Sequence, residues 1–208
     1  MRYKPIKMKK ILFFVCLCIS IKLPAQFSIK VFAAMAKPSK SVTSKGFPGA
    51  GAEVSYNQKK MEIGLDIAVY PKNDSKEERT SLTLNYTNSL FSSQAFINYK
   101  LLNQGSKFYI FTGLSTGLNS TKQVLAFQDG SRGSFRYSET RISAIVAPKI
   151  GIAYQAGKRT GVFAKVLYNL PLNKREPTLI GFTAVGESIE ISAVQEYISA
   201  ALGLSIKL

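Results

Sequence analysis

Apolar and polar residues alternate along most of this sequence, and the alternation limits its fold more than any other feature. In MEIGLDIAVY (61–70), every second residue from Ile63 to Val69 is apolar, and the residues between are acidic or small. A period of two is typical of a β-strand with one apolar face. Similar stretches cover 27–35, 50–57, 61–70, 93–101, 107–118, 141–154, 161–170 and 196–208. The sequence therefore predicts an all-β chain of eight strands.

The connections between these strands alternate strictly in length. Those at 58–60, 102–106 and 155–159 are short, and those at 36–48, 71–91, 118–139 and 171–195 are long. Transmembrane β-barrels have short periplasmic turns and long extracellular loops. The pattern predicts an eight-stranded antiparallel up-and-down transmembrane β-barrel, closed by pairing between the first and last strands.

Two apolar pieces leave the strand count open. Thr80–Thr87 and Glu190–Val194 either extend the fourth and eighth strands or raise the total to ten. Pro148 lies inside a predicted strand, where it removes a ladder donor, so we expect a β-bulge there.

The first 25 residues have the pattern of a secretory signal. A basic segment precedes an apolar run too short to span a bilayer, and Ala25 supplies a small residue for cleavage. The predicted organisation is a signal peptide at 1–25 and a barrel domain at 26–208, with an uncleaved anchor as the alternative. Six of the 28 basic residues lie in 1–25, so the remainder is still basic.

Catalytic and metal-binding chemistry is narrowly limited by composition. Both cysteines, Cys16 and Cys18, fall in the predicted signal, and the chain has no histidine. A Ser-His-Asp or Cys-His nucleophile and a histidine-ligated zinc are therefore excluded. We expect no enzyme activity, no cofactor and no metal, and no motif points to nucleic acid.

Period two alone does not say which face meets solvent, and a soluble lipocalin-like barrel would turn the apolar face inward. Three observations favour a membrane barrel. The other face of each strand, which we call the second face, is rich in small residues, and these suit a narrow interior. The apolar face carries no charged residue. Aromatic residues of the apolar face gather beside the short turns, as an interfacial girdle requires. The predicted girdle is Phe27, Tyr56, Tyr99, Phe108 and Tyr154.

Charged residues of the second face should meet inside the barrel. An unpaired buried charge costs several kcal/mol, so these side chains should form ion pairs. Paired carboxylates can also act as acid and base, although a structural plug is the favoured interpretation. The predicted interior polar network is Lys30, Glu53, Glu62, Asp66, Lys100, Lys149, Lys165 and Lys207. Lysine exceeds acid in this set, which suggests that the lysines near the ends reach water.

Basic residues also concentrate in the connections. Lys37, Lys40 and Lys45 in the first long loop have no acidic neighbour, which makes lipopolysaccharide phosphates a candidate partner alongside the other outer-membrane lipids. The short turns are basic and acid-free, so they either contact anionic headgroups or are simply solvated. We expect a monomer.

Four segments carry a family resemblance: LPAQ (23–26), INYKLLNQGSKFYIFTGLSTGL (97–118), PKIGIAYQAGKRTGVFAKVLYNL (148–170) and ISAALGLSIKL (198–208). With them the chain resembles the porin-family, OmpA-like small outer-membrane barrels of Bacteroidota-type bacteria, although it ends on Leu208 where such barrels usually end on an aromatic residue. The resemblance implies an outer-membrane location with both termini in the periplasm.

The resemblance gives a fold and a place, and the activity stays open. The leading hypothesis is a non-enzymatic barrel with a plugged interior and long extracellular loops, serving a structural, adhesive or interaction role. The alternatives are a narrow porin-like conduit for small solutes and a soluble secreted ligand-binding barrel.

Overall fold

The computed structural model describes residues 26–39, 46–79, 82–101, 107–129, 133–173, 178–182, 188–191 and 196–208. Within these ranges no helix is long and apolar enough to cross a membrane. The predicted signal peptide, Lys40 and Lys45 lie outside the described residues. The strands are β1 (Gln26–Pro38), β2 (Phe47–Gln58), β3 (Met61–Arg79), β4 (Leu82–Lys100), β5 (Phe108–Asp129), β6 (Gly133–Tyr154), β7 (Thr160–Pro171), β8 (Thr178–Phe182), β9 (Ser188–Ile191) and β10 (Tyr197–Lys207).

Eight of these strands form one closed antiparallel barrel. Its order is β1-β10-β7-β6-β5-β4-β3-β2, and β1 closes the sheet by pairing with β10. Ile29 lies opposite Ile206, and Ala33 lies opposite Leu202. The eight-stranded fold and its closure by the first and last barrel strands are thus confirmed.

The two uncertain pieces have different outcomes. Residues 82–87 are the far end of β4, so this piece extends a barrel strand. Residues 188–191 form β9, which pairs with β8 in a separate two-stranded sheet. The predicted extension of the last barrel strand by 190–194 is therefore wrong for its described part, because Glu190 and Ile191 pair with β8. The remaining residues of that piece lie outside the described ranges.

Four neighbouring strands are much longer than the rest. β3 and β4 have 19 residues each and β5 and β6 have 22 each, whereas β1, β2, β7 and β10 have 11 to 13. Much of the predicted long loops at 71–91 and 118–139 is consequently strand. We call the part of β3–β6 that extends beyond the other strands the tall wall.

A bulge occurs at a different proline from the predicted one. The register between β3 and β4 shifts between Tyr70 and Asn73, beside Pro71. At Pro148 the pairing of β6 with β7 is interrupted, yet Lys149 still lies opposite Leu167 in the unchanged register. The bulge expected at Pro148 is therefore wrong, because a missing amide removes one ladder bond without inserting a residue.

The two strand faces point as a membrane barrel requires. Leu65 on the apolar face is 63% exposed, and Leu202 is 67% exposed. The alternate positions point inward and are buried, as in β7, where Phe163, Lys165 and Leu167 face the interior. The apolar face is therefore outside, which is the reverse of a lipocalin-like barrel.

Candidate functional site: a charged and aromatic barrel interior

Five charged side chains meet inside the barrel in one connected group, which we call the ion cluster: Lys30, Glu53, Glu62, Asp66 and Lys165. Glu53 accepts hydrogen bonds from Lys30 Nζ at 2.5 Å and from Lys165 Nζ at 2.9 Å. Lys30 also donates to Glu62 at 2.5 Å, and Lys165 also pairs with Asp66. Each of the five residues is at most 6% exposed.

The barrel geometry brings these residues together from four strands. Lys30 on β1, Glu53 on β2 and Asp66 on β3 lie opposite one another in successive strand pairs. Lys165 comes from β7, which adjoins none of these strands, and its side chain reaches Glu53 and Asp66 across the interior. The cluster therefore ties together opposite sides of the barrel wall.

Neighbouring polar groups complete the hydrogen bonding of Glu62. Ser55 Oγ donates to Glu62 Oε1 at 2.7 Å, and Asn98 Nδ2 donates to Glu62 Oε2 at 3.1 Å. Ser28 and Ser55 are joined by a hydroxyl hydrogen bond of 2.7 Å. Such bonds offset the desolvation cost of buried carboxylates. The alternation marked these inner positions, but no motif singled out Ser55 or Asn98.

Lys149 lies inside the barrel, and none of the residues that the structure describes forms a direct ion pair with it. Its Nζ is buried, has no hydrogen-bond partner among the described residues and sits 3.5 Å from the centre of the Phe96 ring. A cation over an aromatic face is attracted by the ring quadrupole. Among the described residues, Lys30, Lys149 and Lys165 are three buried lysines for the three buried carboxylates, and the buried Arg141 is paired separately with Glu139.

The other two predicted members lie near the tight turns, apart from the ion cluster. Lys100 Nζ donates to Asn57 Oδ1 at 2.9 Å and lies over the Tyr109 ring. Lys207 Nζ donates to Gln155 Oε1 at 2.7 Å. Both lysines are only partly buried. The predicted set has two more lysines than acidic residues, and these two lie nearest the barrel end.

Aromatic rings fill the space around the charges. Phe32 and Phe163 meet edge to face with centroids 6.2 Å apart, and Lys165 Nζ lies 4.2 Å from the centre of Phe32. Glycines on adjacent strands make room for the rings, since a Cβ at Gly51 would overlap Phe32 and one at Gly151 would overlap Phe111. The glycines predicted to suit a narrow interior thus accommodate specific phenylalanines.

Two tyrosines close the interior on the side away from the tight turns. Tyr70 and Tyr197 make an edge contact with centroids 6.5 Å apart, and the Tyr197 hydroxyl is 3.1 Å from Asn119 Oδ1. A cavity of about 10 Å³ remains between these tyrosines and the Asp66–Lys165 pair. That volume accommodates about one water molecule and no solute.

The predicted aromatic girdle lies on the outer surface beside the tight turns. Phe27 is paired with Tyr56 and Phe108 with Tyr154, and the rings of Phe27 and Tyr56 are 5.6 Å apart in an edge contact. Tyr99 lies opposite Met61, next to the turn that joins β2 to β3. Four of the rings are exposed and that of Tyr56 is half-buried.

The chemistry available inside the barrel is limited. Lysine nitrogens bind the carboxylates of Glu53, Glu62 and Asp66 directly, and the cavity beside the Asp66–Lys165 pair measures only about 10 Å³. Among the described residues no cluster of His, Cys, Asp and Glu could hold a metal ion. The arrangement is suited to closing the barrel and stabilising its wall.

Comparison with known proteins gives a structural likeness only. No family model matches the sequence, and no curated protein is significantly similar to it. Neisserial surface protein A superimposes with a TM-score of 0.57 at 16% identity, covering 89% of this chain and 100% of that one. The chain has the fold of an eight-stranded outer-membrane barrel.

Two other outer-membrane proteins superimpose less well on this barrel. The major outer membrane protein of Thermus thermophilus gives a TM-score of 0.49 at 11% identity, covering 89% of this chain and 100% of that one. OprG from Pseudomonas aeruginosa gives 0.48 at 12% identity, covering 88% and 96%.

Proposed function

We propose that this chain is a non-enzymatic barrel of the outer membrane, with a closed interior and a structural, adhesive or interaction role at the cell surface. In this arrangement the tight turns and both ends of the 26–208 segment face the periplasm, residues 1–25 direct export, and the tall wall projects outward. The observation that carries the proposal is the pairing of an apolar outer surface with an interior filled by the ion cluster and the aromatic rings.

The outer surface supports membrane insertion. Large apolar side chains are exposed on every barrel strand, from Ile29 on β1 to Ile206 on β10. No soluble monomer gains from exposing so much contiguous apolar surface. A lipid bilayer accepts it, because each strand of the closed barrel pairs with two neighbouring strands and the sheet has no first or last edge.

The closed interior supports a role other than transport. Lys165 reaches across the lumen to Glu53 and Asp66, and Tyr70 and Tyr197 block the passage beyond them. A solute would have to separate buried ion pairs to pass, and each pair broken costs several kcal/mol.

Planar-bilayer recording tests this proposal. We expect the purified barrel to show heat-modifiable mobility on a gel, which reports folding, and no stable single-channel openings after insertion. Stable openings of uniform conductance would support a narrow conduit instead. Recovery of the exported protein in the soluble fraction, without detergent, would refute the membrane assignment itself.

Lipopolysaccharide phosphates are proposed as a partner at the opposite end from the tight turns. Lys37 is exposed on the outer face of β1 near the end of that strand, opposite Ile198. Charge complementarity supports this contact. Lys40 and Lys45, the other two lysines of this hypothesis, follow in the same loop.

A further inference from the structure

Five cations surround the tight-turn end of the barrel, and the closed interior makes no use of them. We call this group the basic turn face: Lys59, Lys60, Lys107, Lys158 and Arg159. All five side chains are exposed. The three turns that carry them contain no aspartate or glutamate, so no acid within the turns neutralises the group.

Backbone hydrogen bonds tie three of these residues to neighbouring parts of the barrel end. Lys100 N donates to Lys60 O at 2.8 Å, Gln155 N to Lys107 O at 2.6 Å, and Lys207 N to Arg159 O at 2.7 Å. Each turn is thereby tied to a neighbouring strand or turn. The five residues form a rim at the barrel end, and the inward-facing Lys100 and Lys207 add to the positive potential at the same end.

The aromatic girdle sets the depth of this rim. Lys107 immediately precedes Phe108, and Lys59 follows Tyr56 by three residues. At about 3.3 Å per residue, Lys59 and Lys107 lie within about 10 Å of the girdle, where a membrane's phosphate groups are found when aromatic residues occupy the interface. Turns this short do not reach far into the aqueous space beyond.

We infer that the basic turn face binds the anionic phospholipid headgroups of the leaflet that the tight turns meet, and so selects the lipids around that end of the barrel. This inference rests on the proposed membrane insertion. The chemical group that the basic turn face would bind is a phosphate diester in a headgroup with a net negative charge, as in phosphatidylglycerol. A Lys or Arg near an anionic surface contributes about a fivefold preference, and salt weakens it.

The other end of the barrel provides a matched control. Lys72, Lys76, Lys122 and Arg136 are exposed on the outer face of the tall wall, where Asp74 is interspersed among them. The test variant changes Lys60, Lys107, Lys158 and Arg159 to glutamine, and the control variant changes the four tall-wall cations to glutamine. Both lose three lysines and one arginine. Lys59 is kept because its φ of 44° makes the turn sensitive to substitution.

Native mass spectrometry of the barrel in micelles with equal phosphatidylglycerol and phosphatidylcholine measures the preference. We expect the unmodified barrel and the control variant to retain phosphatidylglycerol preferentially, and the test variant to lose most of this preference. High salt should reduce it in the unmodified barrel. No preference in the unmodified barrel, or equal losses in both variants, overturns the inference.

Two further measurements distinguish failure of this inference from failure of the proposed function. Heat-modifiable mobility is measured on each sample, so a folded barrel without lipid preference refutes this inference and leaves the proposed function standing. A barrel that never folds into micelles or vesicles refutes both. Sedimentation with purified cell-wall sacculi identifies another partner: if the test variant alone fails to sediment, and no lipid preference is found, the basic turn face binds the cell wall.

Discussion

Glu53 is the residue on which the ion cluster depends most, because it joins lysines from two non-adjacent strands. Its two oxygens accept from Lys30 and Lys165 at 2.5 and 2.9 Å, and the residue is 1% exposed. Alternation predicted that Glu53 faces inward. It did not identify Lys165 as a partner, because the two residues are 112 positions apart and only the closed barrel brings them together.

Glu53→Gln should destabilise the barrel by about 3–5 kcal/mol, because removing one member of a buried ion pair leaves uncompensated charge. The free energy of unfolding in urea, measured in detergent micelles, reports the change. Asp74→Asn is the control, since Asp74 is an exposed carboxylate bound by Thr87, and it should cost about 1 kcal/mol or less. Equal losses in the two variants would contradict a structural role for the ion cluster.

At the scale of the strands, the local pattern predicts where the barrel strands lie, but it does not predict their lengths or their register. The alternation located every barrel strand, but it placed 71–91 and 118–139 in loops, although most of these residues continue β3–β6. Those extensions lack the strong apolar periodicity. Under the proposed membrane insertion they lie past the lipid, where nothing selects an apolar face. β8 and β9 were missed as a separate hairpin, since two short strands carry too little periodicity to be recognised.

The closing strand pair can be tested by cross-linking. Val31 lies opposite Leu204, so Val31→Cys with Leu204→Cys should form a disulfide under mild oxidation. The segment 26–208 has no other cysteine, and a shift in non-reducing gel mobility reports the bond. Val31→Cys with Ile198→Cys serves as the mismatched pair, six residues out of register, and should stay reduced. A bond in the mismatched pair alone would place the closure in another register.

On the scale of the whole molecule, the barrel has an apolar outside, a charged and aromatic inside, and ends of different character. The tight-turn end is basic, whereas the opposite end carries the tall wall with mixed charge. This polarity gives the barrel one favoured orientation if it spans a bilayer whose leaflets differ in charge.

Leu65→Arg should lower the free energy of unfolding in vesicles by about 2–4 kcal/mol. Leu65 is exposed midway along the apolar surface, and a charge at the bilayer midplane is poorly solvated. Ile206→Arg, close to the tight-turn end, should cost about 1 kcal/mol or less. Urea unfolding in vesicles of zwitterionic lipid measures both. If the two substitutions lower the free energy of unfolding by the same amount, the cost of a charge on the apolar surface does not depend on membrane depth.

The sequence by itself determined the strand class, the two faces of each strand and the end at which the tight turns gather. Each of these depends on residues within a few positions of one another, where the two-residue period acts directly. Only the tertiary structure decided that Glu53 meets Lys165, that Lys149 lies over Phe96, that the bulge falls beside Pro71 and that β3–β6 outgrow their neighbours. Those outcomes depend on the register in which distant strands close the barrel, which no local pattern specifies.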